Sequence, residues 1–139
     1  MTDITNIFDV ASRAMSAQMT RLNTVASNVA NARSIAGSAD EAYKAIKPMF
    51  ETEYAKHASE NGIATVNVRE IVTTDREPTK VYMPEHTKAD EEGFVWQAAV
   101  DVEEEMVEML EASRQYQNNL EVVSTLRSLM MRTVNMGRQ

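Results

Sequence analysis

The chain is 139 residues long, 43% hydrophobic and 25% charged, with 14 Lys and Arg against 21 Asp and Glu and a formal charge of −7. Four Gly and three Pro exclude a collagen-like or loop-rich scaffold, and the lack of Cys excludes disulfides, thiol nucleophiles and thiolate metal sites. The acidic balance speaks against a general nucleic-acid binder, which needs surplus Lys and Arg to neutralise phosphates. No apolar run nears the roughly 20 residues that cross a bilayer, so direct membrane insertion is not expected.

Residues 1–35 hold three Arg and two acids, and no Lys. Met1 to Val10 carries Asp3 and Asp9 with no base ahead of an apolar block, so it does not read as a cleavable secretory signal. Ile4, Phe8, Ala11, Met15, Gln18, Leu22, Val25 and Val29 recur in alternating steps of four and three, the seam of a helix that lies along another helix.

Residues 36–100 differ in kind. They contain every Pro and Lys, three of the four Gly and six of the eight aromatic residues. Ile63–Val72 and Thr79–Met83 are rich in β-branched residues and near-alternating, and Phe94–Val100 follows a Glu92-Gly93 turn, so three strands are predicted. Tyr43–Tyr54 suits either an extended strand or a short turn, because Pro48 argues against a continuous helix. The expectation is a small, aromatic-lined antiparallel β module.

In residues 101–139 the same stepping gives Met106, Met109, Ser113, Tyr116, Leu120, Val123, Arg127, Met130 and Val134, with Leu110, Leu126 and Leu129 alongside. This stripe is wider than a two-helix seam requires and could touch more than one partner. Asp101, Glu103, Glu104, Glu105 and Glu108 crowd the start, Arg127, Arg132 and Arg138 lie toward the end, and Gly137 is a candidate terminator, an order that complements the helix dipole. The predicted fold is mainly α with a small β insert: residues 1–35 and 101–139 supply the two helices of an antiparallel, coiled-coil-like inner domain, and 36–100 form the β-rich or irregular module between them. Each helix would run about 40–50 Å, and neither would be stable alone.

Catalytic patterns are missing from the sequence. His57 and His86 stand far apart with no HExxH spacing, and GxGxxG, P-loop and GxSxG motifs do not occur. No catalytic, cofactor-binding or metal-binding residue is predicted, and the chain does not read as an enzyme. Met15, Met106, Met109 and Met130 fall in phase with the helical seams, which favours packing over an adaptable peptide groove.

The remaining helix faces carry Asn6, Asn23, Asn28, Asn31, Gln115, Gln117, Asn118 and Asn119 together with Ser and Thr, and no Lys. A solvated helix favours Glu and Lys, whereas small uncharged hydrogen-bonding side chains and Arg suit close-packed interfaces. These faces are therefore expected to meet other chains. The candidate subunit-interface residues are Leu22, Val25, Asn28, Val29, Asn31, Met106, Met109, Arg114, Tyr116, Asn119, Leu120, Val123 and Met130.

Two segments carry a family resemblance. Ala26-Ser27-Asn28-Val29-Ala30-Asn31 forms an ASNxAN element, and Glu105, Met106, Ser113, Arg114, Tyr116, Gln117, Asn119 and Glu121 form an EM-(six residues)-SRxYQxNxE pattern. Between them, VYMPEHTKADEEGFV leads through an Ala-Asp-x-x-Gly-aromatic-Val turn to the last helix. In these features the chain resembles the bacterial flagellar axial proteins of the rod and hook, and its short length and C-terminal block resemble the proximal-rod members. The resemblance implies a structural role: subunits that polymerise with copies of themselves and with other rod proteins into a torque-transmitting helical shaft, without a cofactor. It also implies export through the flagellar type III apparatus, without a cleaved signal, to a periplasm-spanning rod. The competing reading from the residues alone is a cytosolic helical adaptor or dimer that binds a partner helix.

Overall fold

The computed structural model describes residues 2–54 and 64–137. Among these residues, two long helices, α1 (Thr2–Asn31) and α2 (Val102–Met136), flank five strands: β1 (Ile35–Ala36), β2 (Ile46–Tyr54), β3 (Ala64–Thr73), β4 (Thr79–Tyr82) and β5 (Phe94–Gln97). At about 1.5 Å per residue the helices measure roughly 45 and 52 Å. They run antiparallel, because Asn28, Arg21 and Gln18 of α1 meet Glu105, Glu108 and Gln115 of α2 in opposite chain order.

Helix α2 starts where its chemistry demands. The Asp101 carboxylate accepts from the Glu103 and Glu104 N–H groups at 3.0 and 3.2 Å, and Glu103, Glu104 and Glu105 fill the first turn. The other end departs from expectation. Gly137 does cap the helix, yet its φ of −77° is right-handed, so glycine's conformational freedom is not used, and the last turn contains no base. Arg138 lies outside the described residues.

The strands form two small antiparallel sheets, one of order β1-β5-β4 and one β2–β3 hairpin. Tyr43–Tyr54 resolves largely into strand β2, which pairs from Ile46↔Thr73 to Tyr54↔Ala64. Pro48 is accommodated because β2 has a strand neighbour on one side only. The register passes over Arg69 opposite the Met49/Phe50 step, a bulge that bends the hairpin as it packs against α1. Ile63, predicted to open β3, lies outside the described residues, as does His57. Strand β5 ends at Gln97, short of the predicted Val100, because Ala98 N–H and Ala99 N–H turn to the carbonyls of Ser34 and Tyr43 at 3.1 and 2.8 Å. Strand β1, too short to leave a periodic signal, was not foreseen.

Three aromatic residues, Tyr82, Phe94 and Trp96, lie on the three-stranded sheet. Tyr82 and Phe94 meet edge to face at 5.2 Å, and the Lys80 ammonium sits 4.3 Å from the Phe94 ring centre. The turn into β5 is closed by the Asp90 carboxylate, which accepts from the Glu92 and Phe94 N–H groups at 3.0 and 2.8 Å. Gly93 there has a φ of +81°, and a Cβ at that position would lie 2.9 Å from a Tyr82 ring carbon.

One side chain ties the helices to the strands. Asn28 is fully buried, and its amide makes four hydrogen bonds. Its Oδ1 accepts from the Ile46 N–H at 2.9 Å and the Tyr43 hydroxyl at 3.0 Å, while its Nδ2 donates to the Ile46 carbonyl at 2.9 Å and to Glu105 Oε2 at 3.0 Å. That is the full capacity of a carboxamide: two lone pairs and two N–H bonds. Aspartate would supply no donor and would face both a carbonyl and the buried Glu105 carboxylate.

Two substitutions test these local arguments. Asn28→Ala should cost about 2–4 kcal/mol in urea unfolding of the full chain, and Asn28→Asp should cost more despite its closer shape, because it leaves acceptors facing an acceptor. Equal losses would show that shape alone matters at the site. Gly93→Ala should destabilise by roughly 1–3 kcal/mol through backbone strain and the Tyr82 clash, measured in the same way.

Candidate subunit interface

The inner face of the helix pair is polar and ordered. The Arg21 guanidinium pairs with the Glu108 carboxylate through both Nε, at 2.9 Å, and Nη2, and reaches Glu111 at 3.8 Å. The Gln18 amide donates to Gln115 Oε1 at 2.8 Å, and Gln115 in turn donates to Glu111 at 3.1 Å. These bonds are directional, so the ladder sets how far one helix slides along the other. Asn31 is occupied locally, donating to the Ser27 carbonyl at 2.8 Å.

The buried apolar set is made of small residues. Among the described residues, nine of its eleven members are Ala, the others being Val25 and Val95, so the backbones approach closely while little apolar area is buried. Large apolar side chains lie outside. Met106, Val107, Leu110, Leu120, Val122, Leu129, Met130, Met131, Val134 and Met136 all stand exposed on α2, between 37% and 72%. Met19 and Ile7 on α1, and Met49, Phe50 and Ile71 on the hairpin, are exposed as well.

The row of α2 that α1 covers differs from the predicted one. Glu105 and Ala112 are buried, and Met109, Tyr116, Asn119, Val123 and Leu126 are half-buried, whereas Met106, Leu120 and Arg127 are exposed. The covered row therefore shares Met109, Tyr116 and Val123 with the expected seam but steps back one residue elsewhere, a rotation of about 50° at 3.6 residues per turn. The cause is chemical. Asn28 draws the Glu105 carboxylate inward, and Ala112, with no exposed surface, lets α1 come close. Counting apolar residues cannot register a buried glutamate.

The predicted interface residues thus fall into two groups. Val25 and Asn28 are enclosed by their own chain, and Leu22, Val29, Asn31, Met109, Tyr116, Asn119 and Val123 are half-buried. Asn28, expected to meet a neighbouring subunit, instead spends its whole hydrogen-bonding capacity inside the chain, because Ile46, Tyr43 and Glu105 surround it. Met106, Arg114, Leu120 and Met130 face outward. Exposed Val107, Leu110, Leu129, Met131 and Met136 were not among the predicted interface residues, because they lie off the strict heptad row. Among the described residues, no group of three or more His, Cys, Asp or Glu side chains is placed to hold a metal, and no helix is long and apolar enough to cross a membrane.

Comparison with known proteins places matches at both helices. A family profile described as "Flagella basal body rod protein" matches residues 8–32, and one described as "Flagellar basal body rod FlgEFG protein C-terminal" matches residues 91–136. The chain is 41% identical over 133 residues to the flagellar basal-body rod protein FlgC of Escherichia coli O157:H7, covering 96% of this chain and 97% of that one. It is 40% identical over the same shares to the FlgC protein of Salmonella typhimurium strain LT2, and 36% identical to that of Aquifex aeolicus strain VF5, with 96% of each chain covered.

The two faces respond differently to the same chemistry. Val25→Ser should lower unfolding stability by about 2 kcal/mol, whereas Leu110→Ser should change it by no more than about 0.5 kcal/mol. Thermal melts of both full-length variants decide the point, and a large loss for Leu110→Ser would mean that this outer face is covered within the chain.

Proposed function

We infer the role of the molecule from one premise: this chain belongs to the FlgC family of flagellar basal-body rod proteins. It is a structural subunit of the rod, the shaft that carries torque from the motor toward hook and filament. In the proximal part of that shaft it packs against copies of itself and against other rod proteins. The helices α1 and α2 form the inner, coiled-coil-like domain, and residues 36–100 a smaller module carried outside it. The chain reaches the rod through the flagellar export apparatus with no cleaved signal.

The observation that carries this reading is the near full-length identity, with 96% of the chain matched to relatives of one name. Supporting it is the unusual placement of apolar surface: ten large apolar side chains exposed on one helix, over a core built largely of alanine. Exposed apolar surface of this extent, rimmed by polar residues, suits burial against partners. A neighbour packing on a rotated face of α2 would complete the wide stripe that α1 covers only in part.

A deletion strain tests the role. Loss of the gene should abolish swimming and rod assembly, and the wild-type gene should restore both. Leu120→Asp should fail to restore swimming, since it places a charge on an exposed part of the stripe, while export of the variant stays within about twofold of wild type, the side chain being free of the fold. Basal bodies with intact rods in the deletion strain would overturn the reading.

A further inference from the structure

Helix α2 is charged asymmetrically, and both of its ends are apolar and uncovered. Residues 101–119 hold six acids and one base, whereas residues 120–139 hold one acid and three Arg. At the start, Glu103, Met106, Val107 and Leu110 stand at helical spacings of i, i+3, i+4 and i+7, all exposed. By helix geometry they point roughly opposite the Glu105/Ala112 row that α1 covers. Toward the end, Leu129, Arg132 and Met136 share one exposed face at i, i+3 and i+7. Extending the Asn28–Glu105 and Gln18–Gln115 pairings puts Thr2 level with about Met131.

The ion pairing sharpens the contrast. Near the start, Glu104 pairs with Arg76, and Glu108 and Glu111 pair with Arg21, while Glu103 forms no salt bridge among the described residues. Arg127 and Arg132 form none either, and no acid lies within four residues of Arg132. Unpaired positive charge thus flanks the exposed apolar face near the end of α2, and unpaired negative charge borders the outward apolar patch near its start. The two surfaces match in chemistry and opposite in sign.

We propose that the Leu129/Arg132/Met136 face of one copy docks on the Glu103/Met106/Val107/Leu110 face of the next copy. This rests on the rod-subunit reading and names the contact that joins copies within it. The contact is heterologous: each copy uses two different surfaces and leaves one of each free, so addition continues instead of closing at a dimer. Charge sets the direction, because start against start would juxtapose acids and tail against tail would juxtapose arginines.

The absence of native Cys makes the test specific. Tagged Val107→Cys and untagged Leu129→Cys chains are co-expressed in the deletion strain, and basal bodies are oxidised mildly. Mixed 107–129 dimers should exceed either like-with-like dimer by about tenfold. Like-with-like dimers in equal or greater yield would overturn the proposal, and so would a Val107→Cys adduct of another mass, which would give that face to a different protein. If the thiol variants fail to assemble, charge reversal decides: Glu103→Arg and Arg132→Glu should each weaken self-association in sedimentation by roughly fivefold or more, and the double variant should recover most of it. A double variant as weak as the singles would overturn the contact. Rods that form normally with both charges reversed singly would remove this contact while leaving the rod role intact, whereas rods in the deletion strain would remove the role itself.

Discussion

The whole arrangement depends on satisfying one buried carboxamide. Asn28 sits where α1, the entry to β2 and the first turn of α2 converge, and it binds both the N–H and the C=O of Ile46 as a neighbouring strand would. A buried backbone pair left open would cost several kcal/mol, so the segment before β2 must run past α1 at this point. The remaining donor fixes Glu105, and with it the rotation of α2 about its axis. Everything downstream follows from that rotation: which residues meet α1, and which are left facing out.

The result inverts the usual globular arrangement. Polar bonds run along the inner face of the helix pair beside half-buried Met109, Tyr116 and Val123, while ten large apolar side chains of α2 stand exposed. Ala-based packing permits close approach but contributes little transfer free energy, roughly 25 cal/mol per Å² of a small area. Directional bonds then define the register, while the large apolar side chains of α2 stay uncovered by the chain itself. A chain built this way gains much of its order from its neighbours.

Much of this was legible in the sequence, and the failures are instructive. The seven-residue stepping located both helices, and β-branched alternation located β3, β4 and β5 within a few residues. The antiparallel pairing follows from two long helices joined by a compact insert. The face of α2 toward α1 was misplaced by one residue because periodicity counts Met106 as core and Glu105 as solvent, whereas Asn28 reverses the two. A run of Asn and Ser shows that close polar packing occurs, and not with whom; the bonds that Asn28 makes inside its own chain have no signature in that run. Strand β1, two residues long, has no period to detect, and its pairing with β5 is decided by where α1 ends.

Charge accounts for how such a surface stays in solution before it is covered. The net charge of −7 opposes indiscriminate contact between copies, and each exposed apolar group on α2 has acids, Arg or amides within a turn of it. A single lateral contact then buries only a few side chains and sets them against that repulsion. The separation of acid-rich and arginine-rich halves along one helix makes the favourable contact between the proposed faces dependent on direction.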